Sequence, residues 1–378
     1  MAFVGAGQSG GQGWTSCSAS PVFAGGVYLI IQTQLSAIRT FILPRAIVDP
    51  ISRVCFRAVR WAFDLRTTRL ERFEDRDQVF SYYAPVTLII LPFLWLAMAM
   101  AGYTLVLWAI HEADLWTAFR LSGSSVLTLG FASSDARVAV VIELSGAALG
   151  LLLVSVLISY LPTIYSAYSE REQAVALLMV RAGTPPSAAT MIELYKRLDA
   201  LDEIDVLWPQ WERWFTTLSE THTSLAVLNY YRSPRPEYTW LTAAGTILDA
   251  AAILSSAVAV PRNPQRELCL RSGFLALHDI ADCFGIDFER SPRLDDPISV
   301  TREEFEEGVM ALGTAGVPLR DDPDQAWTDF AGWRVNYDRV LLILAELTMA
   351  PPAQWISDRS LVRRYRPPIF GGRRTTRD

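Results

Sequence analysis

The stretch that decides the fold is residues 83–110, YAPVTLIILPFLWLAMAMAGYTLVLWAI, which contains no charged residue. A helix needs about 20 mainly apolar residues to cross a bilayer, and the buried helices of soluble proteins are rarely so long and so apolar on every side. Pro92 lies inside the stretch, where a membrane helix tolerates a proline and bends. We therefore predict a membrane-spanning helix over these residues.

Two further stretches are candidates for the membrane. Residues 138–168, VAVVIELSGAALGLLLVSVLISYLPTIYSAY, contain Glu143 as their only charged residue, so we expect them to span. Residues 21–43 are interrupted by two glutamines and an arginine, and we expect them either to span or to lie at the interface. The whole chain fits a membrane protein, because 51% of its 378 residues are hydrophobic and 20% are charged, against about 25% charged in soluble domains.

The positions of the arginines predict the orientation in the membrane. Residues 44–80 contain eight arginines, whereas the linker of residues 111–137 contains only Arg120 and Arg137. Basic residues near the ends of a span are more frequent on its cytoplasmic side. We therefore expect residues 44–80, and everything after about residue 170, to be cytoplasmic in a multi-pass protein of the cell membrane.

The linker between the two predicted spans contains the candidate functional residues. Residues 115–126 fit about three helical turns, and Thr128-Leu129-Gly130-Phe131-Ala132 follow them. This arrangement resembles the pore loop of the potassium-channel superfamily, whose filter reads T-V-G-Y-G. The resemblance continues in residues 137–150, RVAVVIELSGAALG, which are similar to the inner helix of two-helix bacterial potassium channels, and it covers about residues 83–175.

The resemblance implies a homotetramer in membrane lipid, with Thr128 to Ala132 as the selectivity filter and potassium ions as the permeant species. The chemistry can also be argued without the family. A potassium ion must shed water in a narrow pore, and rings of backbone carbonyls from four subunits replace that water. One chain supplies a quarter of each ring, so a tetramer follows. Gly130 gives the loop the backbone freedom that it needs.

The sequence departs from the family's filter at three positions. Leu129 stands in place of valine, Phe131 in place of tyrosine and Ala132 in place of the last glycine. Ala132 has the largest consequence, because a residue with a Cβ enters the left-handed region at a cost of roughly 1–2 kcal/mol. We expect a positive φ there if the family's conformation is kept, and an altered outermost carbonyl site. Potassium-selective and non-selective cation conduction both stay open.

Three residues of the second span have predicted supporting roles. Glu143 is an ionisable group in an apolar helix, and such groups are commonly functional. It either bonds to the pore loop from behind, meets a neighbouring subunit or faces water at the outer mouth. Gly146 falls where the family's hinge glycine lies, and it forms a G-x-x-x-G pair with Gly150. That pair permits close helix approach, and in this setting also a bend.

The predicted fold class is all-α, with a membrane pore domain (outer helix, pore helix and filter loop, inner helix) and a helical cytoplasmic C-terminal domain. The expected divisions are an N-terminal segment, a cytoplasmic linker, the pore domain, the helical domain and a basic disordered tail, at residues 1–43, 44–80, 81–182, 187–355 and 356–378. Helical patterns in the C-terminal domain cover residues 188–201, 204–218, 238–258, 264–284, 302–312 and 323–348. Ser187 is a predicted cap, and Thr301 with Glu304 a predicted capping box.

No motif in the sequence indicates an enzyme, because it contains neither a nucleophile-and-base arrangement nor a phosphate loop. The net charge of −6 argues against a nucleic-acid partner. We expect no resident metal or cofactor, only permeant cations, because the candidate ligands lack the short paired spacing of a zinc site. Those candidates are His222, Asp249, Cys269, His278, Asp279 and Cys283.

The function that the sequence predicts is a tetrameric pore-loop channel for monovalent cations, regulated through its C-terminal domain by an unidentified gating ligand. The alternative, from another class, is a membrane-anchored helical scaffold or signalling protein whose pore does not conduct.

Overall fold

A computed structural model describes residues 21–41, 49–68, 70, 72–110 and 114–358. Within these ranges the regular structure is helical, apart from one isolated antiparallel bridge between Val258 and Leu319, so the predicted all-α class is confirmed. The chain forms two compact units. The first comprises the described parts of Met1–Leu43, Asp49–Cys55 and Val86–Thr163, and the second those of Pro44–Val48, Phe56–Pro85 and Ile164–Asp378.

Six helices lie in the described residues of the N-terminal half of the chain. They are α1 (Pro21–Phe41), α2 (Pro50–Thr67), α3 (Phe73–Ser81), α4 (Tyr83–Ile110), α5 (Leu115–Val126) and α6 (Arg137–Ala182). In the described part of the chain, three segments are long and apolar enough to cross a membrane: Pro21–Thr40, Phe73–Ile110 and Arg137–Ala182. The two strong sequence candidates are therefore confirmed as long apolar helices, and the weaker N-terminal candidate qualifies as well.

Two glycines allow α1 to lie directly against α4 in the first unit. A Cβ on Gly26 would lie 2.7 Å from the carbonyl oxygen of Gly102, and a Cβ on Gly102 would lie 3.0 Å from that of Gly26. Small residues at such a crossing let the two backbones approach, which is how helices associate where lipid removes the hydrophobic driving force. The N-terminal helix is thus a packed part of the first unit.

A chain of buried hydrogen bonds also joins α1, α2 and α4. The indole N–H of Trp95 donates to the Ser36 hydroxyl at 2.8 Å, and that hydroxyl donates to the Asp49 carboxylate at 2.6 Å. The same carboxylate accepts from the backbone N–H of Ser52 at 2.8 Å and so caps the start of α2. Each polar group is satisfied, as burial requires.

Seven helices follow in the second unit, together with two short 3₁₀ helices at Leu201–Val206 and Ala226–Tyr230. The α9 helix is buried on every side, since Ser255 is the one residue of its 17 that is not fully buried. The last part of α6 belongs to the same core through side chains such as Val175 and Leu178. The seven helices are α7 (Ala188–Arg197), α8 (Leu207–Ser224), α9 (Trp240–Ser256), α10 (Pro264–Phe284), α11 (Arg302–Thr314), α12 (Pro323–Arg334) and α13 (Asp338–Thr348).

Several details differ from the sequence predictions. The helix predicted over 323–348 is two helices with a break at residues 335–337. Ser187 occupies the cap position of α7, but its side chain makes no capping bond. The capping box of Thr301 and Glu304 is confirmed. Ile356, the first residue of the predicted tail, is buried in the core, and the tail from residue 359 onward lies outside the described residues.

A buried cluster of charged side chains lies where the break between α12 and α13 packs against α9. Arg334 donates to the carboxylates of Asp249 and Asp338 and to the carbonyl of Trp355. The hydroxyl of Tyr337 donates to Asp249 at 2.8 Å. Burial lowers the pKa of the Arg334 guanidinium and the two carboxylates raise it, with a net upward shift that keeps it charged. Asp249, an acidic interruption of an apolar helix in the sequence, is therefore a core residue.

We expect Arg334→Met to destabilise the second unit by about 3–5 kcal/mol, because it leaves two buried carboxylates without their cation. Thermal unfolding of the full chain in detergent measures the effect. The matched control is Arg293→Met, which removes an arginine from an exposed pair with Asp295 and should leave the unfolding temperature unchanged. Equal unfolding temperatures for the two variants would contradict the role of the cluster.

Candidate functional site

The loop after α5 folds back onto the end of that helix. The N–H of Thr128 donates to the carbonyl of Ser125 at 2.9 Å. The N–H groups of Leu129 and Gly130 both donate to the carbonyl of Ser124, at 2.9 and 3.2 Å. The loop is therefore held at the C-terminal end of α5, where the helix dipole places partial negative charge that favours a cation nearby.

Two residues with positive φ make this tight turn possible. Thr128 has a φ of 55° and Gly130 a φ of 67°. Alternating left- and right-handed residues turn successive N–H groups toward one point, here the Ser124 carbonyl. Glycine adopts such a φ without steric cost, whereas threonine is strained by it. Such strain commonly marks functional sites.

The same turn directs three consecutive carbonyl groups away from α5. In a trans peptide the C=O points opposite to the N–H of the next residue. Because the N–H groups of Thr128, Leu129 and Gly130 point at α5, the carbonyls of Leu127, Thr128 and Leu129 point away from it. Residues 127–130 are exposed in the single chain, and these three carbonyls form a row that points away from α5.

Ala132 behaves differently from the prediction. Its φ is not among the positive values, so the left-handed conformation expected there is not found. The Ser124 hydroxyl accepts from the N–H of Ala132 at 2.9 Å and donates to its carbonyl at 2.8 Å. That carbonyl is thereby turned back to α5 and does not continue the row. Ser124 holds both ends of the loop, through its backbone and through its side chain.

Glu143 bonds to the segment that follows the loop, and its predicted role behind the filter stays a prediction. Its carboxylate accepts from the backbone N–H of Ser134 at 3.2 Å, and its side chain is half-buried. The Ser125 hydroxyl donates to the Glu143 carbonyl on the same part of α6. Glu143 therefore ties the segment after the loop to the helix that follows.

Gly146 and Gly150 let α6 pass close to the end of α5. A Cβ on Gly146 would lie 2.6 Å from the Ser125 hydroxyl oxygen, and a Cβ on Gly150 would lie 1.8 Å from the Val126 carbonyl oxygen. The close approach predicted from their spacing is confirmed. The α6 helix is continuous through both glycines, and a bend at this point stays a prediction.

The apolar side chains of the loop lack cover from their own chain. Leu129 is 62% exposed and Phe131 57% exposed. Elsewhere in the first unit, α4 and α5 border an apolar groove of about 660 Å³, whose lining includes Met100, Trp116 and Phe119. More than half of the Phe131 side chain is therefore available for contact with a neighbouring copy.

Of the remaining candidates from the sequence, His222, Asp249, Cys269 and His278 are buried, Cys283 is half-buried and Asp279 is exposed. The described residues contain no group of three or more histidine, cysteine or acidic side chains that could hold a metal. His222 is buried against Arg171 and the Leu218 carbonyl, and burial, followed by the charge of Arg171, lowers its pKa well below the usual range. His278 bonds to the carbonyl of Asn336 at 2.7 Å.

Two serines that position the loop were missed in the sequence. Ser124 and Ser125 make the bonds described above, yet they read as ordinary residues of the predicted pore helix. The available signal was the run Ser122-Gly123-Ser124-Ser125, because hydroxyls at a helix end commonly bond to nearby backbone.

Comparison of the chain with protein-family models, curated proteins and solved structures finds no match.

We expect Gly150→Ala to prevent the native packing of the first unit, because its Cβ would overlap backbone that cannot move aside. Thermal unfolding in detergent should show a loss of several kcal/mol, the usual range for large steric conflicts. Gly25→Ala is the control, since a Cβ there meets nothing within 4 Å. Native stability in the Gly150 variant would show that α5 and α6 do not pack as described.

Proposed function

We propose that this protein is a pore-loop channel for monovalent cations, in which residues 127–130 line the ion path. The observation that carries the proposal is the exposed row of carbonyls from Leu127, Thr128 and Leu129, set between two membrane-length helices. Rings of backbone carbonyls are a known means of replacing the water that a potassium ion loses. Irregular backbone at membrane depth is tolerated where it lines water or is buried in protein.

The electrostatics of the loop favour a cation. The carbonyl end of α5 faces the loop and adds its partial negative charge to that of the row. The N–H groups of Thr128, Leu129 and Gly130, which would repel a cation, are directed at the carbonyls of Ser124 and Ser125. The segment thus presents oxygen on one side and bonds its N–H groups on the other.

Four copies are needed to complete the site. One chain contributes a single row, and carbonyl rings in pores are made by four subunits around one axis. The exposed rings and methyl groups of Phe131 and Leu129 supply apolar surface for the contact between copies. Closed symmetry of this kind gives each copy the same environment.

We propose weaker potassium selectivity than that of a filter with a full set of carbonyl rings. The Ala132 carbonyl, which would form the outermost ring, is bonded to the Ser124 hydroxyl. Fewer coordinating oxygens discriminate less between potassium and sodium, on the view that ligand number sets selectivity. Potassium remains the proposed main ion.

The proposed orientation follows the arginines. Residues 44–80 and the second unit lie in the cytoplasm, and the α5 loop opens to the outside of the cell membrane. The second unit would then regulate the pore through α6, which runs without a break from the first unit into the second.

The first prediction from this proposal concerns assembly. Purified protein in detergent should have the mass of four chains, each of 42.1 kDa, as measured by native mass spectrometry. A monomer that persists at high protein concentration in mild detergent would contradict the proposal, because one chain cannot form a carbonyl ring.

The second prediction concerns conduction. Liposomes containing the parent protein should release potassium down its gradient, and Gly130→Ala should abolish the flux. The substitution strains the left-handed φ by roughly 1–2 kcal/mol and adds a methyl group at the narrowest part of the path. Its Cβ meets nothing within its own chain, so the subunit itself should still fold.

The control is Gly123→Ala in α5, whose Cβ would only touch the flexible Met100 side chain at 3.4 Å. This variant should conduct like the parent. If the parent forms tetramers that pass no ion under any gradient, the membrane scaffold becomes the better description. If Gly130→Ala conducts normally, residues 127–130 do not line the path.

A further inference from the structure

One short segment of the second unit contacts both helices that continue into the membrane. We call residues 228–233 the linking segment. Arg171 on α6 donates to the carbonyls of Leu228 and Tyr231, each at 2.9 Å. The hydroxyl of Tyr168 donates to the backbone carbonyl of Arg232 at 3.0 Å. The cytoplasmic end of α6 is thus bonded to the linking segment by three side-chain hydrogen bonds.

The linking segment also contacts the region around the start of α4. Arg232 forms an ion pair with Asp77 on α3. The ring of Tyr230 packs edge-on against the ring of Tyr83, with centroids 5.6 Å apart, and lies 6.1 Å from that of Phe56. Tyr83 is the first residue of α4, so a shift of the segment acts on α4 and α6 together.

A cavity lies beside the linking segment, within the second unit. Its enclosed volume is about 30 Å³. A water needs at least about 10–15 Å³ of such space, so the enclosed part accepts a group the size of two or three waters. The lining comes from the linking segment, α2, α3 and residues near Trp240 and Pro351.

Three polar atoms of the lining residues are buried without a hydrogen-bond partner. They are the side-chain oxygen of Asn229 and the hydroxyls of Tyr230 and Ser233. Asn229 is 2% exposed, and its amide nitrogen is already used by the carbonyls of His222 and Ala226. A buried polar group without a hydrogen bond lowers the stability of the folded protein. A bound ligand that forms a hydrogen bond with each of these atoms would remove that cost.

The cavity also carries an excess of positive charge. Its lining contains Arg60, Arg232 and Arg235, and Asp77 is the one carboxylate among the lining residues. Asp77 is paired with Arg232, and Arg60 is paired at 3.1 Å with Asp64, which lies outside the lining, so Arg235 is the lining arginine without an ion pair among the described residues. Burial lowers the pKa of Arg232. The paired carboxylate of Asp77 partly offsets this downward shift, and the nearby positive charge of Arg60 adds to it. A bound anion would relieve this repulsion.

We propose that this cavity binds the phosphoryl group of a phosphate monoester that carries a neighbouring hydroxyl. Arginine guanidinium groups match phosphoryl oxygens with paired hydrogen bonds, and the cavity is lined by Arg235 and by Arg60, whose Nε also bonds to Asp64. The hydroxyls of Tyr230 and Ser233 donate to the same group. The side-chain oxygen of Asn229 accepts from the hydroxyl of the ester, a donor that a bare carboxylate or sulfate does not have.

A ligand of this kind would set the state of the pore. Binding fixes the linking segment, which holds both α6 and the start of α4, so it favours one arrangement of those helices over another. This regulatory consequence rests on the proposed channel function, whereas the binding itself does not. The ester reaches the cavity either as a free metabolite or as the headgroup of an anionic lipid.

Calorimetry on the full-length protein in neutral detergent tests the site, with glycerol 3-phosphate as the probe and glycerol as the uncharged comparison. We expect glycerol 3-phosphate to bind and Arg235→Gln to weaken it about tenfold, the usual effect of losing one charge-assisted bond. Arg271→Gln removes an equally exposed arginine that does not line the cavity, and it should bind like the parent.

Ser233→Ala separates ligand binding from folding. The hydroxyl has no partner within the protein, so its removal should leave the unfolding temperature unchanged or raise it. The same variant should bind glycerol 3-phosphate several-fold more weakly, because a donor to the ligand is lost. A purely structural role for Ser233 would lower the unfolding temperature instead.

Nanodiscs distinguish the two sources of the ester. Binding of free glycerol 3-phosphate supports a soluble ligand, and a rise in unfolding temperature only with 1-acyl lysophosphatidic acid, a lipid phosphate monoester, relative to lysophosphatidylcholine, supports a lipid headgroup. The site is overturned if neither probe binds, or if Arg235→Gln and Ser233→Ala bind like the parent. Binding that depends on both residues, in a protein that never passes ions, would keep the site and remove the channel.

Discussion

The arrangement of the candidate pore depends on one carbonyl group, that of Ser124 at the end of α5. By accepting from Leu129 and Gly130 it gathers the N–H groups of the loop on one side and leaves their carbonyls on the other. The side chain of the same residue holds Ala132. The last carbonyls of a helix have no intrahelical partners. The N–H groups of the loop supply those partners, and these hydrogen bonds fix the conformation of the loop.

The rest of the first unit keeps that helix end in place. Gly146 and Gly150 bring α6 to the last residues of α5, and the carboxylate of Glu143 bonds to the segment beyond the loop. The second unit is organised differently, around a buried helix and the cluster of Asp249 and Arg334. Buried charges of this kind are stable only when all of their partners are present. The core of the second unit therefore depends on particular residue pairs as well as on apolar packing.

The sequence predicts most of the helices because their signals are local. The bounds of α4, α5 and α10 agree with the apolar runs and with the residues that flank them. The sequence predictions that failed concern features set by contacts that no periodic pattern encodes. The break before Asp338 follows from ion pairs with α9, 85 residues away along the chain in the case of Arg334 and Asp249. The roles of Ser124 and the φ of Ala132 follow from bonds within a turn, which no periodic pattern encodes.

The central claim is that residues 127–130 of four copies surround one axis. Pulsed electron paramagnetic resonance on spin labels at the exposed residue Ser133 tests it directly, in a background with Cys17, Cys55, Cys269 and Cys283 replaced by serine. A square arrangement gives two distances, between adjacent and diagonal copies, in a ratio of about 1.4. A single distance, or no interaction between labels in lipid, would contradict the shared pore.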